Sequence, residues 1–393
     1  MPVHLGRGER RARLATRHHL APAARCDDVV RLTDDLVALH ATDPATVHLS
    51  AWARLRSGDV AATEKALYSD RSLVRLLGMR RTVFVVSAAT APVVQAACSR
   101  DIAVTQRRLL LKLLTEGGVP EPAAWLADVE RSVLAALHAR GEATAAELAA
   151  DEPRLATSVI VARGKPYEAR QNFTSRVLFQ LAVDGHILRG RPRGSWISSQ
   201  HRWVPLRSWL PDFAEPPVEE ARAELVRRWL WAFGPAPVTD LRWWTGLGAR
   251  PIAAALARVG AVEVSTDDGP AVVLPDDLDP TPDPGPWAAA LPGLDPTPMG
   301  WQRRDWFLGP HAARVFDRTG NIGATVWWNG RVVGGWAQRR DGEVVHRLLE
   351  DIGAEGATAV AAAVAETAAR LGGVRVTPRF PAPLDKELAA VSP

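Results

Sequence analysis

Arginine carries the most suggestive chemistry in this chain. Two predicted turns concentrate it: Gly78-Met79-Arg80-Arg81, and the run "HILRGRPRGSWIS", which spaces Arg189, Arg191 and Arg193 around Gly190, Pro192 and Gly194. A guanidinium is a planar fork that grips phosphate oxygens two at a time, so basic hairpin tips suit a polyanion. The alternative for any one of these side chains is a merely solvated turn. Trp196, just past the second tip, reads as a packing residue of the hairpin rather than a wedge between bases. Other chemistries find no residues. There is no GxxxxGK[ST] phosphate loop, GxSxG elbow, HExxH pair or HxE…CxxC deaminase signature, and Gly246-Leu247-Gly248 lacks the third glycine of a dinucleotide site. Cys26 and Cys98 are the only cysteines, too far apart for a thiolate metal site, and His18-His19 reads as a helix-surface pair. No metal or other cofactor is expected.

Composition narrows the partner. Four lysines stand against 44 arginines, and 15 tryptophans against two tyrosines, so positive charge is nearly all guanidinium and a few indoles are available for stacking on bases. With 47% hydrophobic and 23% charged residues the 393-residue chain is an ordinary globular one, long enough for two to four domains at roughly 100 to 200 residues each. The best apolar run, residues 357–371, is interrupted by Glu366 and Arg370, which argues against a membrane span. The N-terminal basic stretch is followed by Thr16, Arg17, His18 and His19 rather than an apolar segment, so the expected compartment is the cytoplasm.

The elements that must position the arginines repeat in order. A helix capped by Asp27 or Asp28 runs through Val29, Leu32, Leu36 and Leu39 to about Ala41, and Asp43-Pro44 starts another. "LVRLLGMRRTVFVV" then forms a hairpin. The order helix, helix, hairpin is that of a winged helix. It recurs with helices at residues 125–139, 144–150 (a TxxE cap at Thr144 and Glu147) and 167–184, followed by the second basic hairpin. Arg170, Asn172 and Arg176 lie on that third helix, the candidate recognition helix. A smaller copy follows: a helix to Phe233, one capped by Thr239, one opened by Pro251, and an acidic hairpin with Asp267 and Asp268. Residues 276–287 read as a Pro-rich linker, and short strands with Asn-Gly, Gly-Gly and Asp-Gly turns precede an alanine-rich helix at 356–371. The expectation is an α+β, mainly α chain: winged-helix units at 1–120 (with N-terminal helices), 121–212 and 213–280, then a C-terminal β-rich, barrel-like domain at 281–393.

The ordered set "VALHATDPATVHLSAWARL", "GMRRTVFVV", "GHILRGRPRGSW", "DLRWWTGL", "LPGLDPTPMGWQRRDWFL" and "NGRVVGGW" resembles the bacterial winged-helix alkylpurine DNA glycosylase family, the AlkZ- and YcaQ-like proteins. The resemblance spans nearly the whole chain. It implies three tandem winged-helix units on a C-terminal β-barrel, double-stranded DNA as partner, and excision of N7- or N3-alkylated purines or crosslinks. It also implies that the catalytic segment is Leu39-His40-Ala41-Thr42-Asp43. Where the family has glutamine, an aliphatic residue, then glutamine or aspartate, this chain has His40 and Thr42 around Ala41. His40, placed in the last turn of a predicted helix, would be favoured as imidazolium by the helix dipole; neutral, it could act as a base. Thr42 can orient a water but not take its proton. Asp43 is the neighbouring carboxylate, with a helix cap as its plainer role, while His48 and Trp52 on the next helix could face the same cleft or simply pack. Asp295, Arg304, Gly330, Gly334 and Trp336 read as turn, salt-bridge and packing residues. The departures leave a rival reading open: a non-catalytic DNA-binding protein, either a degenerate glycosylase that shields lesions or a transcription regulator. No obligate protein partner is evident.

Overall fold

Capping side chains set the first helix starts. In the computed structural model, which describes residues 3–161, 164 and 169–390, Asp28 accepts from Val30 N ahead of helix Val29–Asp35, and Asp43 accepts from Ala45 N ahead of Pro44–Trp52. Thr144 and Glu147 form a reciprocal capping box before Ala145–Asp151. Helices Pro122–Arg140 and Gly353–Leu371 also follow the sequence pattern. Three expectations fail. The first helix stops at Asp35 because Val37 turns left-handed (φ 66°), so His40 lies in a strand. The helix expected at 167–184 is confined to Thr174–Val183, preceded by strand Ala169–Asn172. Arg170 and Asn172 therefore belong to a strand, and the side chain of Arg170 lies outside the described residues. Thr239 sits inside helix Val238–Thr245 rather than capping it.

The strands in chain order are β1 (Leu39–His40), β2 (Leu73–Gly78), β3 (Thr82–Ser87), β4 (Ser158–Val161), β5 (Ala169–Asn172), β6 (Ile187–Pro192) and β7 (His201–Pro205). They continue with β8 (Val262–Thr266), β9 (Gly269–Val273), β10 (Ala288–Leu291), β11 (Thr325–Trp328), β12 (Arg331–Gln338) and β13 (Val344–Leu348). The two hairpins read as separate wings are joined: β1-β3-β2-β6-β7 is one five-stranded antiparallel sheet. Its side chains alternate between two cores, as the pleat requires. Val74, Leu76, Phe84, Val86 and Leu188 enter one, and Leu39, Leu73, Leu77, Val83, Val85 and Ile187 the other. Arg75 is the exception on the second face, opposite Val85 on one side and Arg189 on the other.

The C-terminal sheet corrects the barrel expectation. It is open, in the order β10-β11-β12-β13, and closes by covering its faces with helices rather than by pairing its edges. Val360 and Val364 of Gly353–Leu371 pack on one side, Leu384 and Leu388 of Pro383–Ala390 on the other. With about 49% of residues helical and 17% in strands, the fold is mixed α/β. The supposed linker is also held: buried Asp277 takes Arg13 Nη1 at 2.8 Å and Arg17 Nη2 at 2.5 Å. The acidic hairpin β8–β9 likewise binds the N-terminal helix, Asp268 receiving Arg7 and Arg10.

Helix Pro44–Trp52 is the element that matters for the site, and every one of its residues is buried. Val47 and Ala51 face the first sheet's core, while Ala45, Leu49 and Trp52 join the C-terminal sheet. Its polar side is bound to the segment "GLDPT". Thr46 Oγ1 donates to Gly293 O at 2.8 Å, and Ser50 Oγ donates to Asp295 Oδ2 at 2.7 Å. Just past its end, Arg54 clasps Asp295 with both terminal nitrogens at 2.8 and 2.7 Å, both side chains fully buried. Asp295 is thus a buried salt-bridge residue. The remaining guanidinium donors reach Thr297 Oγ1, Ser50 O and His18 O, which is the full satisfaction a buried ion pair needs. Trp336 packs with its Nε1 on Leu291 O. Gly330 supplies a left-handed turn (φ 78°), and a Cβ on Gly334 would sit 2.0 Å from Arg347 O.

Candidate active site

The start of that helix and the short strand before it form one corner. His40 in β1 lies opposite Phe84 in β3, its ring edge-on to the phenyl at 5.4 Å. Only 6% of the residue is exposed, and burial, with the nearby Arg80 cation adding to it, pushes the imidazole pKa down to about 3. The ring is neutral at pH 7. That reverses the imidazolium expected of a helix end, since β1 has no helix dipole to offer. Nδ1 faces Thr42 N at 3.5 Å, a long contact that favours the tautomer with hydrogen on Nε2. Nε2 has no hydrogen-bond partner among the described residues and is not among the fully enclosed polar atoms.

Thr42 is half-buried, and its hydroxyl likewise lacks a partner among the described residues. Asp43 is engaged on both sides. Oδ1 accepts from Ala45 N at 3.1 Å as the cap, and Oδ2 accepts from Arg379 N at 2.9 Å. Arg379 also directs Nη1 at Thr42 O, 3.5 Å away, so the C-terminal segment closes over the corner.

His48 and Trp52 both pack against Trp196. His48 is fully buried against Trp196, ring centroids 5.1 Å apart, and Trp196 in turn meets Trp52 at 5.3 Å. Trp196 is therefore a packing residue. Burial, helped by Arg75, pushes His48 to about 3, and neither of its ring nitrogens has a partner among the described residues. Trp52 Nε1 is orphaned as well.

The arginines divide. Arg80 and Arg81 form the tip between β2 and β3, both in left-handed backbone (φ 53° and 59°), a conformation costing roughly 1 to 2 kcal/mol per L-residue. Arg80 lies over Trp243 at 3.9 Å, and burial draws its pKa down to about 10, so it remains cationic but is docked rather than solvated. Arg304 lies over the same indole at 5.0 Å and over Phe316 at 4.4 Å, a packing role, with burial then Arg80 lowering it to about 10. Exposed Arg81 donates to Gln106 Oε1 at 3.2 Å. Arg189 and Arg191 are strand residues of β6, not tip residues: Arg189 is half-buried and Arg191 reaches Glu64 at 3.4 Å. Arg193 is exposed in the turn. Arg176 belongs to helix Thr174–Val183. His18 and His19 are buried rather than surface residues, His18 bridging Thr297 Oγ1 and Ala232 O and His19 bridging Ala24 O and Asp35.

Sequence reasoning missed Arg75, His201 and Arg379. Arg75 had a signal, a lone cation inside the apolar strand "LVRLL". The other two had none.

The family model of AlkZ-like DNA glycosylases matches residues 33–374. The chain belongs to the AlkZ-like DNA glycosylase family. No curated protein matches the sequence significantly. Among solved structures, Streptomyces sahachiroi DNA glycosylase AlkZ aligns with a TM-score of 0.73 at 22% identity, over 94% of this chain and 98% of that one. At that identity the likeness concerns the fold. For an AlkZ-like glycosylase the partner is DNA and the role is repair, as the sequence resemblance implied. No helix among the described residues is long and apolar enough to cross a membrane.

Proposed function

We propose that this AlkZ-like protein is a monofunctional glycosylase hydrolysing the N-glycosidic bond of N7- or N3-alkylated purines, crosslinked ones included, in double-stranded DNA. The observation carrying the proposal is the neutral His40, whose Nε2, like the Thr42 hydroxyl two residues on, has no partner among the described residues. An alkylated purine is already a cationic leaving group. The C1′–N9 bond breaks with its electron pair going to the base, water oxygen attacks C1′, and its proton passes to solvent, leaving an abasic hemiacetal and a free base. Neutral dipoles suffice to hold that water and face the cationic sugar. His40 and Thr42 would hold it, and Asp43 would keep the corner in shape through Arg379. The segment offers no lysine, so a Schiff-base lyase step is not proposed.

The arginines supply the backbone grip. Arg81, Arg191 and Arg193 are exposed enough to meet phosphates, Arg80 and Arg189 would do so at their outer edges, and Arg176 of helix Thr174–Val183 joins them as a candidate, as does Arg170 by its sequence position alone. On this reading residues 1–120, 121–212 and 213–280 act as three winged-helix units beside a C-terminal unit at 281–393, in the cytoplasm and on the nucleoid. One observation favours the non-catalytic rival: Asp43, the only carboxylate of the segment, has both oxygens taken.

Single-turnover release of N7-methylguanine from labelled duplex separates the two. Wild type releases the base, and His40→Ala at equal folded concentration falls by about tenfold or more, while Thr42→Ala falls less. Release at the spontaneous rate from both a methylated and a crosslinked duplex would overturn the enzymatic reading.

A further inference from the structure

The face of the five-stranded sheet that bears Arg75 holds more cation than the fold can use. Arg75 is 1% exposed; Nη1 donates to Tyr68 OH at 2.7 Å, while Nε and Nη2 have no partner among the described residues. Its register partner Arg189 projects from the same face, and burial first, then Arg75 and Arg379, draws that guanidinium down to about 10. His201 stands at the start of β7 with Nδ1 unpartnered, and burial followed by Arg75, Arg189 and Arg379 presses it to about 3. All three guanidinium groups thus lie near enough to His201 for their charges to act on it. His48, with neither nitrogen partnered among the described residues, lies close enough to feel Arg75.

The carboxylates within reach are already committed. Glu64 holds Arg191, and Asp43 accepts the amides of Ala45 and Arg379. No ion pair of Arg75, Arg189 or Arg379 exists among the described residues. A buried guanidinium with unsatisfied donors and no counter-anion is a site awaiting an acceptor, and a guanidinium fork matches the oxygens of a phosphate. The rim is approachable: Arg379 is exposed, and Arg189 and His201 are half-buried.

We propose that Arg75, Arg189 and Arg379 bind a phosphate group, with His201 and His48 as uncharged hydrogen-bonding neighbours. Its source is a backbone phosphate of the DNA, because Arg379 also touches Thr42 and Asp43 and so places the anion beside the corner assigned to the chemistry. This choice of source rests on the glycosylase reading. The same oxygens could come from free phosphate, which the test distinguishes.

The experiment measures binding of an undamaged duplex against salt concentration for wild type, Arg189→Gln, Arg379→Ala and Arg75→Gln. Thermal melting of the same proteins is followed in inorganic phosphate, with chloride at equal ionic strength as control. Loss of one backbone contact makes the slope of log K against log salt shallower by about 0.9. That change in Arg189→Gln and Arg379→Ala assigns the site to DNA. An unchanged slope, with a phosphate-dependent melting rise in wild type that Arg189→Gln abolishes, assigns it to free phosphate. No response in either arm overturns the proposal. Should Arg75→Gln fail to fold, the two rim variants carry the test. Failure of wild type to release any base would sink the glycosylase reading while leaving these slopes fully readable.

Discussion

Acidification should unfold this protein through its buried histidines, and the size of the effect follows from the structure. His18, His40 and His48 are each 6% exposed or less and each pushed down to about 3, chiefly by burial. The unfolded chain, with an ordinary imidazole near 6.5, then binds more protons than the fold, so stability falls as pH drops through 6.5 and the loss is complete near 3. At pH 5 each histidine costs roughly 2 kcal/mol relative to pH 7.5, or about 6 kcal/mol for these three, and half-buried His201, also pressed to about 3, adds up to about 2 kcal/mol more. Asp385 opposes this. Held by Ala382 N and Ala324 N but 3% exposed, it is raised by burial to about 7, so its protonation favours the fold between 7 and the ordinary carboxylate range. That offsets about 2.5 kcal/mol at pH 5, leaving a net loss of about 3.5 to 5.5 kcal/mol, a large share of the roughly 5 to 15 kcal/mol of a typical domain. Depressed carboxylates such as Glu152, lowered to about 2 mainly by Arg154, act only below this window. Urea unfolding followed by tryptophan fluorescence from pH 7.5 to 5 reads the curve directly. His40→Gln should flatten it, and Asp385→Asn, its lower baseline stability aside, should steepen it toward the full histidine slope. A flat or rising stability in wild type and Asp385→Asn alike would refute the reasoning.

Three further outcomes are expected. Asp295→Ala strands the Arg54 guanidinium in a fully buried position and should cost about 3 to 5 kcal/mol in urea unfolding at pH 7.5. Asp43→Ala removes the cap and the acceptor of Arg379 N, so it should lose about 1 kcal/mol and speed hydrogen exchange at the Arg379 amide. Thr144→Ala breaks a capping box far from the candidate site and should cost about 1 kcal/mol without altering base release.

Local signals were legible where one residue decides the outcome. Asp43-Pro44 and Thr144 with Glu147 announce helix starts because the cap is chemistry within four residues. The hairpins β2–β3 and β8–β9 were readable for the same reason, through turns between apolar arms. What the sequence hid is non-local. Leu36 and Leu39 keep a helical spacing, yet Leu36 ends a helix and Leu39 enters a strand, both filling one core. Nothing in residues 73–86 says that β2 will pair with β6 across more than a hundred residues, and that pairing turns two supposed wings into one sheet. The charge state of His40 was misjudged for this reason: it depends on burial beside Phe84 and then on the charge of Arg80, not on its own helix. Arg379 was invisible because its partners, Thr42 and Asp43, lie more than three hundred residues away.

That same burial narrows the gap between this chain and the motif its resemblance implies. A glutamine at the first polar position would offer an uncharged donor and acceptor. In water a histidine is a poor substitute near neutral pH, because it titrates; with its pKa near 3 it does not, and His40 becomes an uncharged group with one nitrogen turned to Thr42 N and the other unpartnered. The second position is the larger change, since a threonine hydroxyl offers less acceptor strength than an amide or carboxylate. If both polar positions hold the water, Thr42→Gln should raise the rate of N7-methylguanine release, and His40→Gln should leave it within a few-fold of wild type while removing one histidine from the acid-unfolding curve. A His40→Gln rate as low as that of His40→Ala would mean that the imidazole acts as a base, because an amide reproduces its hydrogen bonds but not its proton affinity.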